Sequence, residues 1–282
     1  MGVTPAEFQY IQTMVRDNSA IVLDDTKVYL VDARLGTLVR SEKLESVAEL
    51  IRRLRASRWG ELHRKVVEAM TTNETSFFRD AGVYRALEQK VIPDIVARRG
   101  RQPIRIWCGA TSTGQEPYSV LMTLANCIKG LDRRSVQMLC TDIDTQVLAR
   151  AQEGLYSQLE VNRGLPARML VKYFDKNGAQ WQVKQQLREL IDFRQMNLAS
   201  AWPAIPRMDL VLIRNVLIYF DTATKKTILR RVRGVMDHEG YFFLGGSETT
   251  LGIDDDYQLT RFERAVAYRK KAVPSAALEA AS

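Results

Sequence analysis

The first seventy or so residues place hydrophobic side chains at helical spacing. Thr4-Pro5-Ala6-Glu7 is a capping box with proline at the first helical position, and Ser46-Val47-Ala48-Glu49 is a second capping box. Three short helices are predicted, with apolar stripes at Phe8, Ile11 and Val15, at Val28, Val31, Leu35 and Leu38, and at Val47, Leu50, Ile51 and Leu54. This part of the chain is therefore predicted to be a small helical module.

Beyond residue 100 the pattern changes to short apolar runs that alternate with helical patterns. Such alternation is typical of a parallel α/β sheet. The predicted strands are Ile104–Cys108, Gln137–Thr141, Leu190–Met196, Asp209–Ile213 and Tyr241–Gly245. Between the second and the third of these, Asn177-Gly178 is a strong hairpin signal, so an antiparallel ribbon is predicted to interrupt the sheet.

Composition narrows the class of protein. The chain has 282 residues, of which 46% are hydrophobic, so it can bury a proper core, and its longest apolar runs are too short for a bilayer. Its three cysteines lack CxxC spacing, and only two histidines are present, which disfavours disulfide frameworks, metal sites and histidine-assisted nucleophiles. We expect a cytoplasmic protein without secretory signal, membrane insertion or bound metal.

The net charge of +8 suggests a polyanionic partner. Residues 26–66 contain ten Lys or Arg against five Asp or Glu, whereas residues 1–25 contain one Arg against four acids. The positive charge is thus concentrated on the second and third predicted helices. It forms either a solvated surface or a docking face for an acidic partner.

The segment RIWCGATSTGQEPYSVLM (105–122) is predicted to be a strand, a turn of small residues and a helix. Such a turn lets a ligand approach the backbone, although it matches neither a Walker A loop nor a strict GxGxxG, and a tight turn without ligand is the simpler interpretation. Asp142 ends the next strand, where a carboxylate can accept both hydroxyls of a ribose. Asp144 is interpreted as a helix N-cap.

Further polar residues follow the later strands. Asn197 follows the third strand, and Arg214-Asn215 follows the apolar strand DLVLI. Open α/β sheets bind ligands at these carboxyl ends, although each residue alone could merely cap a turn. The segment TTNETSFFRD (71–80) joins the two parts of the chain, and Phe77 and Phe78 within it are interpreted as packing residues.

Taken together, these segments resemble the chemotaxis receptor methyltransferases of the CheR family, which transfer a methyl group from S-adenosylmethionine (SAM) to protein glutamates. The resemblance covers most of residues 20–270, through the motifs TTNETSFFRD, ATSTGQEPYS, TDIDTQVLARAQEGLYS, RNVLIYFD and FFLGGSET.

The resemblance implies an α/β fold: a class I SAM-dependent, Rossmann-like sheet of seven strands with an N-terminal all-α domain and an inserted antiparallel β-subdomain. The implied limits are an N-terminal domain at 1–72, a linker at 73–98, a methyltransferase domain at 99–272 with the β-subdomain at about 154–190, and a flexible tail at 273–282.

The same resemblance implies the site residues by motif position. Residues implied to bind SAM, or its product S-adenosylhomocysteine, are Asn73, Thr75, Arg79, Glu116, Asp142, Asn197, Leu198, Arg214 and Asn215. The resemblance places Tyr219 close to the transferred methyl group. Arg79 could in addition orient the incoming carboxylate by charge-assisted hydrogen bonding, so Arg79 and Tyr219 are the predicted catalytic residues. A glutamate is already ionised at neutral pH, so no general base is needed and the scarcity of histidine is expected.

The implied partner is the acidic helical bundle of chemoreceptors in cytoplasmic arrays, steered by basic residues of the N-terminal helices, namely Arg34, Arg40, Arg52, Arg53 and Arg55. The DKNGAQ loop of the β-subdomain is shorter than the glycine-rich loop of members that tether to a receptor's C-terminal pentapeptide, so recognition without a pentapeptide is predicted.

Two other classes of function fit part of the pattern. A nucleic-acid methyltransferase would suit the basic charge, but Asn215-Val216-Leu217-Ile218 is not the Asn-Pro-Pro-aromatic tetrad of enzymes that methylate base amines. We therefore expect no nucleic-acid partner. A non-catalytic SAM sensor or scaffold has the same cofactor residues and stays open at this point.

Overall fold

A computed structural model describes residues 3–271, so the predicted tail at 273–282 lies outside the described residues. The N-terminal module has four helices: α1 (Pro5–Ser19), α2 (Val28–Ser41), α3 (Val47–Ala56) and α4 (Glu61–Ala69). The three predicted helices are confirmed, while α4 was not predicted. The capping box of α1 forms, whereas in α3 Ser46 caps the helix but Glu49 accepts from the backbone of Glu45 instead.

Two further helices lead from the linker to the sheet. These are α5 (Ala81–Ala86) and α6 (Ile92–Arg99), joined without a break by one π-helical turn at Leu87–Val91. Phe77, just before them, is fully buried and meets Phe174 edge-on, and Phe78 packs against the same core. The packing interpretation of both phenylalanines is therefore confirmed.

The main sheet has seven strands in the order β6-β2-β1-β7-β8-β10-β9, and all neighbours are parallel except around β10. Its strands are β1 (Ile104–Gly109), β2 (Val136–Asp142), β6 (Ile191–Gln195), β7 (Met208–Ile213), β8 (Met236–Phe243), β9 (Tyr257–Phe262) and β10 (Ala265–Lys270). The five predicted strands are confirmed with shifted ends, most of all β8, which begins at Met236. The antiparallel pair β9–β10 was not predicted from its residues.

Alternate side chains of the strands point into two apolar layers. Ile106 of β1 and Leu210 of β7 belong to the layer that holds α5, α6 and α7 (Gln115–Cys127). Trp107 and Val211 belong to the other layer, together with α12 (Thr222–Val235) and the N-terminal module. The helical module thus packs on one face of the sheet, next to the carboxyl ends of its strands.

A second, smaller sheet is inserted between β2 and β6, after α8 (Thr145–Glu153). It has the order β3-β5-β4, with strands β3 (Leu155–Ser157), β4 (Phe174–Asn177) and β5 (Gln180–Val183), and it carries the short helices α9 (Gln158–Asn162), α10 (Ala167–Tyr173) and α11 (Gln185–Arg188). The predicted Asn177-Gly178 hairpin is confirmed, and Gly178 adopts a φ of 57° there.

No helix in residues 3–271 is both long and apolar enough to cross a membrane.

Candidate active site

A cleft opens at the carboxyl ends of β1, β2 and β7, and the linker and the end of α1 close its sides. Every residue predicted for the site lines this cleft: Asn73, Thr75, Arg79, Glu116, Asp142, Asn197, Leu198, Arg214, Asn215 and Tyr219. Ser19 and Ile21 of the helical module also line it, so the cleft lies between the module and the sheet.

Asp142 is the acidic group at the end of β2, and only 6% of it is exposed. Its carboxylate accepts hydrogen bonds from the backbone N–H of Ser112 at 2.8 Å and of Asp144 at 3.0 Å. Burial raises the pKa of Asp142 to about 6, although both hydrogen bonds favour the ionised form. Each oxygen retains a lone pair, so the carboxylate can accept further donors from a ligand.

The backbone around the cleft is strained. Ala110 and Ser112, in the turn between β1 and α7, have φ of 55° and 50°, and Asn215 after β7 has φ of 60°. Residues other than glycine adopt such values rarely, and they cluster at functional sites. The turn also needs Gly114, since a Cβ there would lie 2.9 Å from both Ala151 and Tyr156.

Arg214 is the buried centre of an ionic cluster, with 1% of its side chain exposed. It donates to Glu116 at 2.5 Å, to Asp80 at 2.6 Å and to the carbonyl of Arg79 at 3.0 Å. Burial raises the pKa of Glu116, and Arg214 opposes that shift. Burial alone would lower the pKa of Arg214, but the two carboxylates raise it above its ordinary value. The guanidinium therefore stays charged and holds the linker against the sheet.

The linker forms one wall of the cleft. Asn73 donates from its side chain to Asp144 at 2.8 Å and accepts at its carbonyl from the Ser112 hydroxyl at 2.8 Å. Arg79 donates one N–H to the carbonyl of Glu74 at 3.1 Å. Asp144 also caps α8, as predicted, so it supports both the helix and the wall.

The wall next to Asp142 is formed by residues that follow β6, where the N–H of Met196 donates to the carbonyl of Asp142 at 2.8 Å. Asn197 accepts from the N–H of Ala199 at 2.9 Å and donates to the carbonyl of Asn18 at 2.7 Å, which ties the sheet to the helical module. Leu198 is 6% exposed and packs in the same layer as Met196. Asn197 therefore has a structural function whether or not it touches a ligand.

Two carboxylates at the site were missed from the sequence, although both stand in motifs quoted for the family resemblance. Asp80 closes TTNETSFFRD and pairs with Arg214, while Glu248 of FFLGGSET binds the backbone after β7. An isolated acidic residue in a loop gives no sequence signal for such contacts. Only its place in the motif could have drawn attention to it.

The cleft offers what an adenosyl sulfonium needs. Ile143, Met196 and Leu198 provide apolar surface beside Asp142. Among the described residues, the buried side-chain atoms without a hydrogen-bond partner include Thr111 Oγ1 and Arg214 Nε. Both belong to residues of the cleft wall, where ligand atoms can complete their hydrogen bonds.

The fold and this cleft define a class I SAM-dependent methyltransferase. More narrowly, the chain belongs to the CheR methyltransferase family: residues 6–71 match the family's all-alpha domain and residues 73–266 match its SAM binding domain. It is 38% identical to chemotaxis protein methyltransferase 1 of Pseudomonas aeruginosa, over 96% of this chain and 100% of that one. It is 36% identical to chemotaxis protein methyltransferase Cher2 of Pseudomonas putida, again over 96% and 100% of the two chains.

The raised pKa of Asp142 predicts a pH-dependent affinity for cofactor. If the ionised carboxylate accepts the ribose hydroxyls, protonation below pH 6 removes that acceptor, and the affinity for S-adenosylhomocysteine falls up to about tenfold between pH 7 and pH 5. Titration calorimetry at several pH values measures this change. The variant Asp142→Asn is expected to bind weakly and without this pH dependence, and a wild-type affinity that stays constant down to pH 5 would contradict the assignment.

Proposed function

We propose that this enzyme methylates glutamate side chains of chemoreceptors to form glutamyl methyl esters, in the cytoplasm at the receptor arrays. The observation that carries the proposal is the guanidinium of Arg79, which lines the cofactor cleft with only one of its donors engaged by the described residues. A fork of free N–H donors at this place suits an incoming carboxylate. The two relatives named above are chemotaxis protein methyltransferases, which supports a role in chemotaxis.

The chemistry requires positioning and no base. A glutamate side chain has an ordinary pKa of about 4.3, so its carboxylate is ionised at neutral pH. SAM, when bound, supplies a methyl group carried on a sulfonium; a C–O bond forms as a C–S bond breaks, and the two charges neutralise each other. The role of Arg79 is to orient the carboxylate without binding it so tightly that its reactivity falls. Tyr219, on the same wall as Asn215, fixes the approach and helps to exclude water.

Radiolabelled SAM with a receptor cytoplasmic fragment tests this function. We expect base-labile label on the receptor, and a rate that falls about 10- to 100-fold in Arg79→Ala, because the nucleophile loses its orienting partner. The variant Lys129→Ala, at an exposed site beyond α7, serves as a control. Label on nucleic acid would instead indicate a nucleic-acid methyltransferase. Bound cofactor with no transfer to any receptor would favour a non-catalytic SAM sensor.

The basic helices do not lie equally close to the cleft. Arg34 on α2 donates to Thr72, the residue before the linker, at 3.2 Å, and its Nη1 is buried without a partner among the described residues. Burial lowers the pKa of Arg34, and the nearby Tyr219 opposes this shift. Arg34 therefore lies next to the segment of residues 214–219 that carries Tyr219, which we call the catalytic wall. By contrast, Arg53 pairs with Glu49 and Arg55 lies over the ring of Tyr10.

We propose that α2 presents Arg34 and Arg40 to the acidic receptor bundle beside the cleft, while Arg52, Arg53 and Arg55 on α3 act by long-range attraction. Arg40 is exposed at the end of α2 and bonds only to Thr37 on its own helix among the described residues. Attraction of this kind speeds encounter and is weakened by salt, whereas a contact beside the cleft affects the bound complex itself.

Two sets of variants separate these contributions. We expect Arg34→Gln to slow receptor methylation about tenfold at any salt concentration, because a contact at the cleft is lost. The combined reversal of Arg52, Arg53 and Arg55 to Glu is expected to slow methylation at low salt and to lose most of its effect at about 0.5 M salt. Initial rates over a salt series measure both, with affinity for S-adenosylhomocysteine as the folding control. Unchanged rates at low salt in both sets would contradict a basic docking face.

We also propose that recognition does not use a receptor pentapeptide. The hairpin between β4 and β5 turns over Gly178 and Ala179 alone, which supports the prediction from the short DKNGAQ loop.

A C-terminal receptor pentapeptide is therefore expected to show no saturable binding at micromolar concentration, because the hairpin offers too short a loop to enclose it. Titration calorimetry with the free peptide measures this affinity, and methylation of receptors with and without the tail should proceed at the same rate. Micromolar binding would overturn the proposal.

A further inference from the structure

Glu248 lies in the turn after β8 and points at the segment that follows β7. Its Oε2 accepts from the backbone N–H of Gly245 at 2.7 Å and of Asn215 at 2.8 Å. Its Oε1 accepts from the N–H of Val216 at 2.9 Å and of Ile218 at 3.3 Å. One carboxylate thus binds four backbone donors from two loops, and in residues 3–271 it forms no ion pair with a Lys or Arg.

The segment it holds is the catalytic wall. Residues 214–219 include Asn215, whose φ lies in the left-handed region, and a short 3-10 turn at Leu217–Tyr219. They carry Tyr219 into the cleft. Neither feature provides regular pairing for the N–H groups of residues 215, 216 and 218. Residues 215 and 216 are half-buried and Ile218 is exposed, and the Glu248 carboxylate supplies an acceptor to each of the three N–H groups.

Gly245 lets the two loops approach this closely. A Cβ on Gly245 would lie 2.5 Å from Asn215 Nδ2 and 2.8 Å from both Asn215 N and Glu248 Oε2. At the next position, Gly246, a Cβ would meet nothing within 4 Å. Two adjacent glycines therefore differ completely in what they allow.

We propose that Glu248 is a positioning residue for methyl transfer: it sets the place of Tyr219 through the backbone of residues 215–218. This inference rests on the proposed function. Arg214, by contrast, is fixed by its own bonds to Glu116 and Asp80. Asn215, which the Glu248 carboxylate also holds, is only one of the nine residues implied to bind SAM. Loss of Glu248 is therefore expected to reduce turnover more than cofactor affinity.

The variant Glu248→Gln tests this assignment, because an amide NH₂ cannot accept and two of the four backbone donors lose their partner. We expect kcat with the receptor fragment to fall about tenfold or more, while the affinity for S-adenosylhomocysteine changes less than about threefold. In a Tyr219→Phe background the same change is expected to have less than about a twofold effect, since the two residues act as one unit. The control is Glu263→Gln, at the exposed turn between β9 and β10.

A second pair of variants changes the same contact and leaves Glu248 intact. Gly245→Ala is expected to reduce kcat in the same way, and Gly246→Ala is expected to have no effect. This pair keeps the test valid if Glu248→Gln does not fold, as judged by thermal unfolding.

Hydrogen exchange provides a readout that needs no receptor. Amides of residues 215, 216 and 218 are expected to exchange at least about tenfold faster in Glu248→Gln than in wild type and in Glu263→Gln. Additive effects of the Glu248 and Tyr219 variants, or unchanged exchange in this segment, would overturn the inference. If the wild-type enzyme labels no receptor but exchange is faster in Glu248→Gln as expected, the proposed function is contradicted and the contact between Glu248 and the backbone still stands.

Discussion

The buried guanidinium of Arg214 is the interaction on which the site depends. It follows the central strand β7, and it joins Glu116 at the start of α7 to Asp80 and Arg79 in the linker. Removal of one partner from a buried ion pair costs about 3–5 kcal/mol, because the remaining charge is left without compensation. Glu116 is the buried partner to which this cost applies, whereas Asp80, with half of its side chain exposed, is the ionic partner through which the linker is bound to the sheet.

The rest of the cleft is arranged around this anchor as a set of carboxylates that accept from backbone N–H groups. Asp142 holds the turn after β1, Asp144 caps α8 and binds Asn73, and Glu248 holds the segment after β7. Asp142 and Glu248 bond to loops that lack regular pairing of their own, and Asp144 bonds to the first turn of α8. The strained residues Ser112 and Asn215 persist because Asp142 and Glu248 accept from their backbone N–H groups.

The sequence was sufficient to predict the fold class and the residues that line the cleft, but it did not predict the hydrogen bonds of those residues. The parallel strands are short segments rich in apolar residues, most clearly β7, and the carboxyl ends of parallel strands meet at one edge, so Asp142, Asn197 and Arg214 could be predicted to converge. The β9–β10 pair was missed because its mixed side chains, as in Tyr257–Phe262, lack a clear period. The contacts of Asp80 and Glu248 depend on loop geometry, which no local pattern encodes.

The helical module and the sheet share the walls of one cleft. Asn197 bonds to the carbonyl of Asn18, and the backbone of Val22 donates to the carbonyl of Tyr219 at 2.9 Å. A molecule that fills the cleft contacts both units, so its binding free energy opposes their separation. Occupancy of the cleft by a small ligand is then thermodynamically linked to how firmly the N-terminal helical module is held, and the linkage is reciprocal.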